Sequence, residues 1–551
     1  NQSDTGLSMM FYNLRSNWRY FLIGPLALTA PLTVFLRYYE ISLLSLEGFL
    51  SYMVLILIGL VVGLVMALGG TLMQALISAV IIVLIVFSEI DRSVPLSHGL
   101  RYGHVALLCI FLLCAVFFII REFLDQFLLI VFGVFWLGVF FNTNLPLLST
   151  VVAKSHPQPK TSLPPYIHIV LDAHIGIEGI PPHLDKNNQL SNELKNKYID
   201  QGFRVFGRGY SRYTKTKDST ASFLNFQPII NPHTIQLVTK KTGEKILTVR
   251  ANALFDFLSS QGYVINVLEN DALSYCDEGA GYRLGKCIRY RLKRLVTNDP
   301  ITILSTVMQR MGIGKKYNEV VETIGWPKIP MRGRSPVPSV IAFNEYFDLL
   351  EGVKPGNAYF IHLLIPHGPF ALDEKCSHKK GWKFYKDEEG KKPSPIVSHG
   401  SDEKISASEV LDNTYFRYLE QVKCSQFLVD KLIERLNSHP EVQNSTIIIH
   451  GDHGSRLSLL EPYLENVDHF SKEDYIQFFS TFFVAPRPNL PPGYVGQPLS
   501  LDELLNIIVL GKTALLDNEK EKFVYFTDPG FRTYKRFTLP PFANGIAVQA
   551  W

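Results

Sequence analysis

Charge of either sign is scarce in the first 150 residues and ordinary after them, a contrast hidden by the chain-wide 19 % of charged residues. With 54 Lys+Arg against 50 Asp+Glu in 551 residues, no basic surplus exists for a phosphate backbone, so nucleic acid is excluded as the main partner. Apolar residues make up 47 %, which excludes disorder, and neither a low-complexity tract nor an internal repeat occurs. A compact one-domain soluble protein is excluded too, because it has no use for apolar runs as long as those found here. Cysteine is sparse, with six in all.

Four stretches carry no Asp, Glu, Lys or Arg: Tyr20 to Leu36, Phe49 to Ser88, Tyr102 to Ile120 and Gln126 to Ala153. A helix needs about 20 apolar residues to cross the hydrocarbon of a bilayer. The second stretch is about twice that length and is interrupted by Gly69-Gly70, so the pattern predicts five spans, near 18–38, 49–68, 71–88, 101–120 and 122–142. The first lacks a small-residue cleavage site and reads as an anchor. Charge counting does not orient the spans: Arg15, Arg19 and Arg121 fall on one side, with Arg37, Arg92, Arg101 and Lys154 on the other.

The expected organisation is a five-span transmembrane domain over 1–150, a linker over 151–165 marked by Pro157, Pro159, Pro164 and Pro165, and a water-soluble domain over 166–551. In that domain, apolar runs of strand length (Tyr166–Asp172, Tyr263–Leu268, Ala358–Ile365, Thr446–His450, Phe479–Val484) alternate with segments of helical periodicity (Ala251–Ser260, Val340–Leu350, Ala407–Leu436, Leu501–Leu510). Such alternation indicates an α/β domain with a mainly parallel sheet and helices on both faces. Cys109 and Cys114 fall in the fourth span; Cys276, Cys287, Cys376 and Cys424 fall in the soluble part, where three pairings are open. An even count there suits an oxidising compartment, free buried thiols being the alternative. Cys276–Cys287 is the favoured pair, since it ties off a short polar loop.

In parallel sheets the chemistry collects at the carboxyl ends of the strands. Asp172 follows YIHIVL, Pro366 and His367 follow AYFIHLLI, and Gly451, Asp452, His453 and Gly454 follow the third run. Singly, an aspartate after a strand is often a helix cap and a histidine is often structural. Together they bring oxygen and nitrogen donors to one rim, a set suited to Zn²⁺ or Mn²⁺. Three protein ligands leave room for a hydroxyl nucleophile, best placed at a helix N-terminus, where free N–H groups favour an anion. Gly209–Asn225, GYSRYTKTKDSTASFLN, reads as a strand end running into a short helix and meets that need.

GDHGSR (Gly451–Arg456), IVLDAH (Ile169–His174), YTKTKDSTASFLN and IPHGPF together resemble the alkaline phosphatase superfamily, and within it the sulfatase-like membrane transferases with five N-terminal spans. That group includes phosphoethanolamine transferases, phosphoglycerol transferases and lipoteichoic acid synthases. The resemblance implies an alkaline-phosphatase-like domain with one divalent metal ion, Zn or Mn, held by Asp172, Thr216, Asp452 and His453. It makes Thr216 the nucleophile that carries a phospho-threonine intermediate. His367 would bind phosphate oxygens or act as general acid, and Arg456 and His469 are weaker substrate-binding candidates. The implied partners are a phospholipid donor and a glycan or glycolipid acceptor. The implied location is a multi-pass protein of the bacterial inner membrane, its catalytic domain on the periplasmic side. A phosphodiesterase or phosphatase, and a non-catalytic binding module, are the rival readings.

The chain departs from that pattern in places. The first ligand is commonly Glu, whereas this strand ends in Asp172 with Glu178 six residues on, and Thr214 and Thr220 flank the proposed nucleophile. No Cys/Ser-x-Pro-x-Arg string occurs, so formylglycine-dependent sulfate ester hydrolysis is not expected. Arg289, Arg291, Lys293 and Arg294 form either a headgroup-binding patch or a solvated face. The pairs Lys379-Lys380 and Lys391-Lys392 read as solvated loop charges.

Overall fold

A computed structural model describes residues 17–38, 44–88, 102–141, 148–152, 158–228, 235–239, 245–276, 281–290, 304, 336–349, 352–377, 379, 396–397, 405–438, 444–486, 491–512, 521–530 and 533–540. The chain divides into two compact units. In the first, five helices stand where the apolar stretches predict them: α1 (Trp18–Tyr38), α2 (Leu46–Leu68), α3 (Thr71–Ser88), α4 (Tyr102–Ile119) and α5 (Leu124–Phe141). The part Gly48–Leu68 is long and apolar enough to cross a membrane, while Thr71–Val86, His104–Ile119 and Leu124–Val134 are shorter apolar helices. Arg19 of α1 pairs with Asp125 of α5 over 3.0 Å. Large apolar side chains face outward on all five helices, among them Leu22, Val61, Leu72, Phe111 and Ile130.

The second unit is built on a nine-stranded sheet: β1 (Leu148–Val152), β2 (Tyr166–Leu171), β3 (Arg204–Phe206), β4 (Val264–Asn270), β5 (Leu284–Tyr290), β6 (Asn357–Leu363), β7 (Thr446–Gly451), β8 (Phe483–Ala485) and β9 (Gly493–Val495). The spatial order is β1-β5-β4-β6-β2-β7-β8-β3-β9. From β5 to β7 the strands are parallel; β1 and β8 run against their neighbours. This is an α/β domain with a mostly parallel sheet. Edge strand β1 lies upstream of the proline-marked segment.

Alternation along the central strands sends side chains to opposite faces. Ile167, Ile169 and Leu171 of β2 and Ile361 and Leu363 of β6 enter one core. There they meet α6 (Gln189–Asp200), α9 (Val337–Leu349) and α10 (Ala407–Asn437). Tyr166, Val170, Ala358 and Phe360 enter the other, against α7 (Thr216–Leu224), α8 (Ala253–Gln261) and α12 (Leu501–Ile508). Phe223 and Leu224 of α7 are fully buried there, each contributing about 1.5–3 kcal/mol and seating the helix on the sheet.

Two sequence expectations change. The strand expected over Phe479–Val484 begins only at Phe483, because α11 (Lys472–Phe479) uses Phe479 as its last residue. A capping box between Ser471 and Asp474 starts that helix. Arg289 is not a headgroup contact: it is buried on β5 and paired with Glu269. Lys379 reaches Glu420 at 2.6 Å; Arg291, Lys293, Arg294, Lys380, Lys391 and Lys392 lie outside the described residues. Cys276–Cys287 is bonded as expected, and Cys376–Cys424 forms a second disulfide.

Candidate metal centre and nucleophile

Parallel register builds the rim. Leu171 of β2 pairs with Gly451 of β7 and with Leu363 of β6, so Asp172 and Asp452 leave their strands at the same level. Each is the next residue on the face that α7 covers, continuing the alternation of Val170 and His450. At Gly451 an added Cβ would stand 2.4 Å from the His174 carbonyl, and at Gly454 it would stand 2.3 Å from the Gln477 carbonyl. Both positions therefore exclude any side chain, which accounts for the two glycines around Asp452 and His453.

Asp452 is fully buried, and its two oxygens have separate tasks. Oδ1 accepts the backbone N–H of Ala173 at 2.8 Å and of His453 at 2.9 Å. Oδ2 is buried and accepts no hydrogen bond among the described residues. It stands 3.5 Å from His453 Nε2. The His453 ring donates from Nδ1 to the Gly454 carbonyl at 2.8 Å, which leaves the Nε2 lone pair directed at the carboxylates. Burial, and then the neighbouring Arg456, hold its pKa well below the usual imidazole value, so the ring is neutral. Its Nε2 also lies 3.6 Å from Asp172 Oδ1.

Thr216 is the first residue of α7. Its Oγ1 lies 3.5 Å from Asp172 Oδ2 and 3.3 Å from His453 Nε2. Ser219, one turn on, donates to the Asp452 carbonyl at 2.5 Å and ties the helix start to β7. Thr214 and Thr220 are buried, whereas Thr216 is half-buried with its hydroxyl beside Asp172 and His453. Glu178, the alternative carboxylate, is engaged elsewhere, accepting from Arg208 Nε at 2.6 Å and from the Tyr494 hydroxyl.

His367 is half-buried next to this group. Its Nδ1–H donates to the Gly368 carbonyl at 2.6 Å, and Nε2 accepts from Arg456 Nη2 at 3.2 Å. Burial and the Arg456 charge pull its pKa down to about 3, so the ring is neutral at physiological pH. Gln421 of α10 holds the loop by donating to the Pro366 and His367 carbonyls at 3.0 and 2.8 Å. Arg456 adopts a left-handed backbone with φ 58°. Lys215 is half-buried with its ammonium 5.1 Å from the Tyr463 ring centre, and burial with the Arg456 charge lowers its pKa to about 8. His469 ends the short helix Leu464–His469, is exposed, and is not part of the cluster.

One residue escaped the sequence reading. His362, inside β6, is fully buried with Nε2 3.8 Å from Asp172 Oδ2. Ligand atoms of Asp172, His362 and Asp452 lie within 4.8 Å of one another. The usable signal was parity, since His362 shares the face of Phe360, which α7 covers.

These residues fit a divalent ion. Two ligand atoms bound about 2.1 Å from one tetrahedral ion stand about 3.4 Å apart. Thr216 Oγ1 lies 3.5 Å from Asp172 Oδ2 and 3.3 Å from His453 Nε2, and His453 Nε2 lies 3.6 Å from Asp172 Oδ1 and 3.5 Å from Asp452 Oδ2. The buried Asp452 Oδ2 supplies a donor with no other hydrogen bond among the described residues.

The sequence matches the family model of the sulfatases over residues 182–475, more than half of the chain. No curated protein matches. Among solved structures the chain is similar to the C-terminal periplasmic domain of EcEptC from Escherichia coli in complex with Zn, at 13 % identity over 73 % of this chain and 98 % of that one, TM-score 0.39. It is also similar to the phosphonate monoester hydrolase SpPMH from Silicibacter pomeroyi, at 13 % identity over 67 % and 76 %, TM-score 0.37.

Proposed function

The chain belongs to the sulfatase family, within the metal-dependent alkaline phosphatase superfamily, and we propose that it is a membrane phosphotransferase moving a phospholipid headgroup to a glycan or glycolipid acceptor. The observation that carries this reading is the Thr216 hydroxyl, set at a helix start within 3.5 Å of both Asp172 and His453. The headgroup is phosphoethanolamine or phosphoglycerol.

Asp172, Thr216, Asp452 and His453 would hold the ion. When bound, such an ion lowers the pKa of the Thr216 hydroxyl and offsets charge on the phosphoryl oxygens. Thr216 Oγ attacks the donor phosphorus, its proton passing to solvent, and the bond to diacylglycerol breaks, the leaving alkoxide taking a proton from water. The headgroup phosphate stays on Thr216 until an acceptor hydroxyl displaces it and regenerates the threonine. Arg456 and Lys215 supply cationic charge for the equatorial oxygens, where phosphoryl transfer concentrates negative charge. His367 enters as the group that orients Arg456; its neutral ring already donates Nδ1–H to Gly368, which argues against the general-acid role. His469 remains a candidate for the acceptor side.

A lipid donor explains the attached helices. Their outward apolar side chains suit a hydrocarbon surround, and five spans with the catalytic domain on the periplasmic side of a bacterial inner membrane form part of this reading. Two disulfides in the catalytic domain accord with an extracytoplasmic compartment.

The test is intact mass of the full-length chain and of Thr216→Ala after incubation with phosphatidylethanolamine or phosphatidylglycerol. A gain of one headgroup phosphate, lost in the variant, is expected. Free phosphate or free headgroup without an acceptor-dependent product would make it a hydrolase. Absence of both adduct and bound metal would make it a binding module.

A further inference from the structure

The geometry points to His362 as a direct ligand of the divalent ion, a fifth donor beside Asp172, Asp452, His453 and Thr216. This inference rests on the metal reading above and adds to it a second imidazole.

Its placement follows from the sheet. On β6, Ile361 and Leu363 enter the core on the α10 side, so His362 projects to the face that carries Thr216, Asp172 and Asp452. There it is fully buried, with its backbone carbonyl fixed by the Tyr290 hydroxyl at 2.9 Å. The ring is held edge-on to Tyr275, whose hydroxyl lies 2.7 Å from Nδ1. With Nδ1 so engaged, Nε2 is the atom directed at the cluster, 3.8 Å from Asp172 Oδ2. His453 approaches the other Asp172 oxygen, Oδ1, at 3.6 Å. Two imidazoles thus flank one carboxylate, each aimed by a hydrogen bond from its far nitrogen, the arrangement that orients metal-bound histidines.

Tyr275 makes the arrangement adaptable. A phenol both donates and accepts, so it can give its proton to Nδ1 while Nε2–H faces Asp172, or accept from Nδ1–H while Nε2 offers its lone pair. Only the second tautomer can ligate. Phenylalanine at 275 would keep the ring and remove the acceptor, leaving a buried N–H without a partner. A set of two nitrogens with carboxylate oxygens also shifts preference from Mn²⁺ towards Zn²⁺ and Co²⁺.

The experiment uses the full-length chain in detergent, stripped by a chelator and titrated with Co²⁺ against a chromophoric competitor while the visible absorption of bound cobalt is recorded. Expected are a weakening of at least about 100-fold with a changed spectrum in His362→Gln, and a weakening of about 10- to 100-fold in Tyr275→Phe. Loss of one of two bound equivalents in His362→Gln would place the residue on a second ion and overturn its role as a fifth donor to the first. Unchanged affinity and spectrum in both variants, with binding lost in His453→Gln, would overturn the role of His362 and leave the metal reading standing. No binding by the unmodified chain would overturn both. Thermal melting of the metal-free forms separates misfolding from ligand loss, and Tyr275→Phe carries the test if His362→Gln fails to fold.

Discussion

Ala173 donates its backbone N–H to Asp452 Oδ1 across 2.8 Å, joining the ends of two strands that lie 279 residues apart in sequence. The bond requires the chain to turn sharply just after Asp172, and Ala173 does so with φ 63°, a left-handed conformation that costs a non-glycine residue about 1–2 kcal/mol. Tyr418 of α10 holds the turn, its hydroxyl donating to the Ala173 carbonyl and accepting from Ile175 N–H, both at 2.8 Å. The strained turn thus aims both carboxylates at one point.

Asp452→Asn should separate folding from metal binding. An asparagine Oδ1 keeps both backbone bonds, while the amide replaces the oxygen facing His453. Metal affinity is expected to fall by at least about 100-fold with the melting temperature of the metal-free chain nearly unchanged. Asp452→Ala, by contrast, strands two buried N–H groups at about 1–3 kcal/mol each and should lower that melting temperature clearly.

Tyr418→Phe removes a hydroxyl that touches no proposed ligand. It leaves the Ala173 carbonyl and Ile175 N–H without their partner, a loss of about 2 kcal/mol or more. A metal titration should show about a 10-fold weaker site; unchanged affinity would mean that the turn does not set the ligand geometry.

Thr216→Ser should retain the covalent adduct, because the hydroxyl persists at the helix start. Thr216→Ala should abolish it and lower turnover by at least about three orders of magnitude. Thr214→Ala and Thr220→Ala should both still form the adduct in an intact-mass measurement.

His367 links stability to pH. Its folded-state pKa of about 3 lies below the value of about 6.5 for an unfolded chain. Between those values the unfolded chain binds a proton that the folded one refuses, so stability is full above about pH 6.5 and falls as pH drops towards 3. Melting curves of His367→Asn should show a shallower acid decline than the unmodified chain. The same variant should raise KM more than it lowers kcat, since Arg456 loses its orienting acceptor.

Replacing Cys376 and Cys424 together by serine should cost about 2–4 kcal/mol, in keeping with a closed loop of 48 residues. The bond anchors the segment after His367 to the helix that carries Gln421, so KM should rise with the fall in melting temperature.

Much of the site was legible in the sequence because its groups follow strand ends, and strand ends are marked by where apolar runs stop. Asp172, Asp452 and His453 were found in that way; strand-to-helix reading reached only the stretch Gly209–Asn225, and the family resemblance singled out Thr216 within it. His362 was not, because a histidine inside a hydrophobic run reads as filler until neighbouring strands show which face it shares. Arg289 misled in the opposite sense: four basic residues within 289–294 read as a headgroup patch or a solvated face, yet one of them meets Glu269 from another strand.

Sequence alone therefore determined the five apolar helices, the alternation of strands and helices, and the residue types at the rim, since all of these are written as local periodicity and its interruptions. Tertiary structure decided which donors share a point. Parallel register sets Asp172 level with Asp452, face parity turns His362 towards Thr216, and the bend at Ala173 closes the group. Each depends on which strand lies beside which, a non-local relation on which local periodicity is silent.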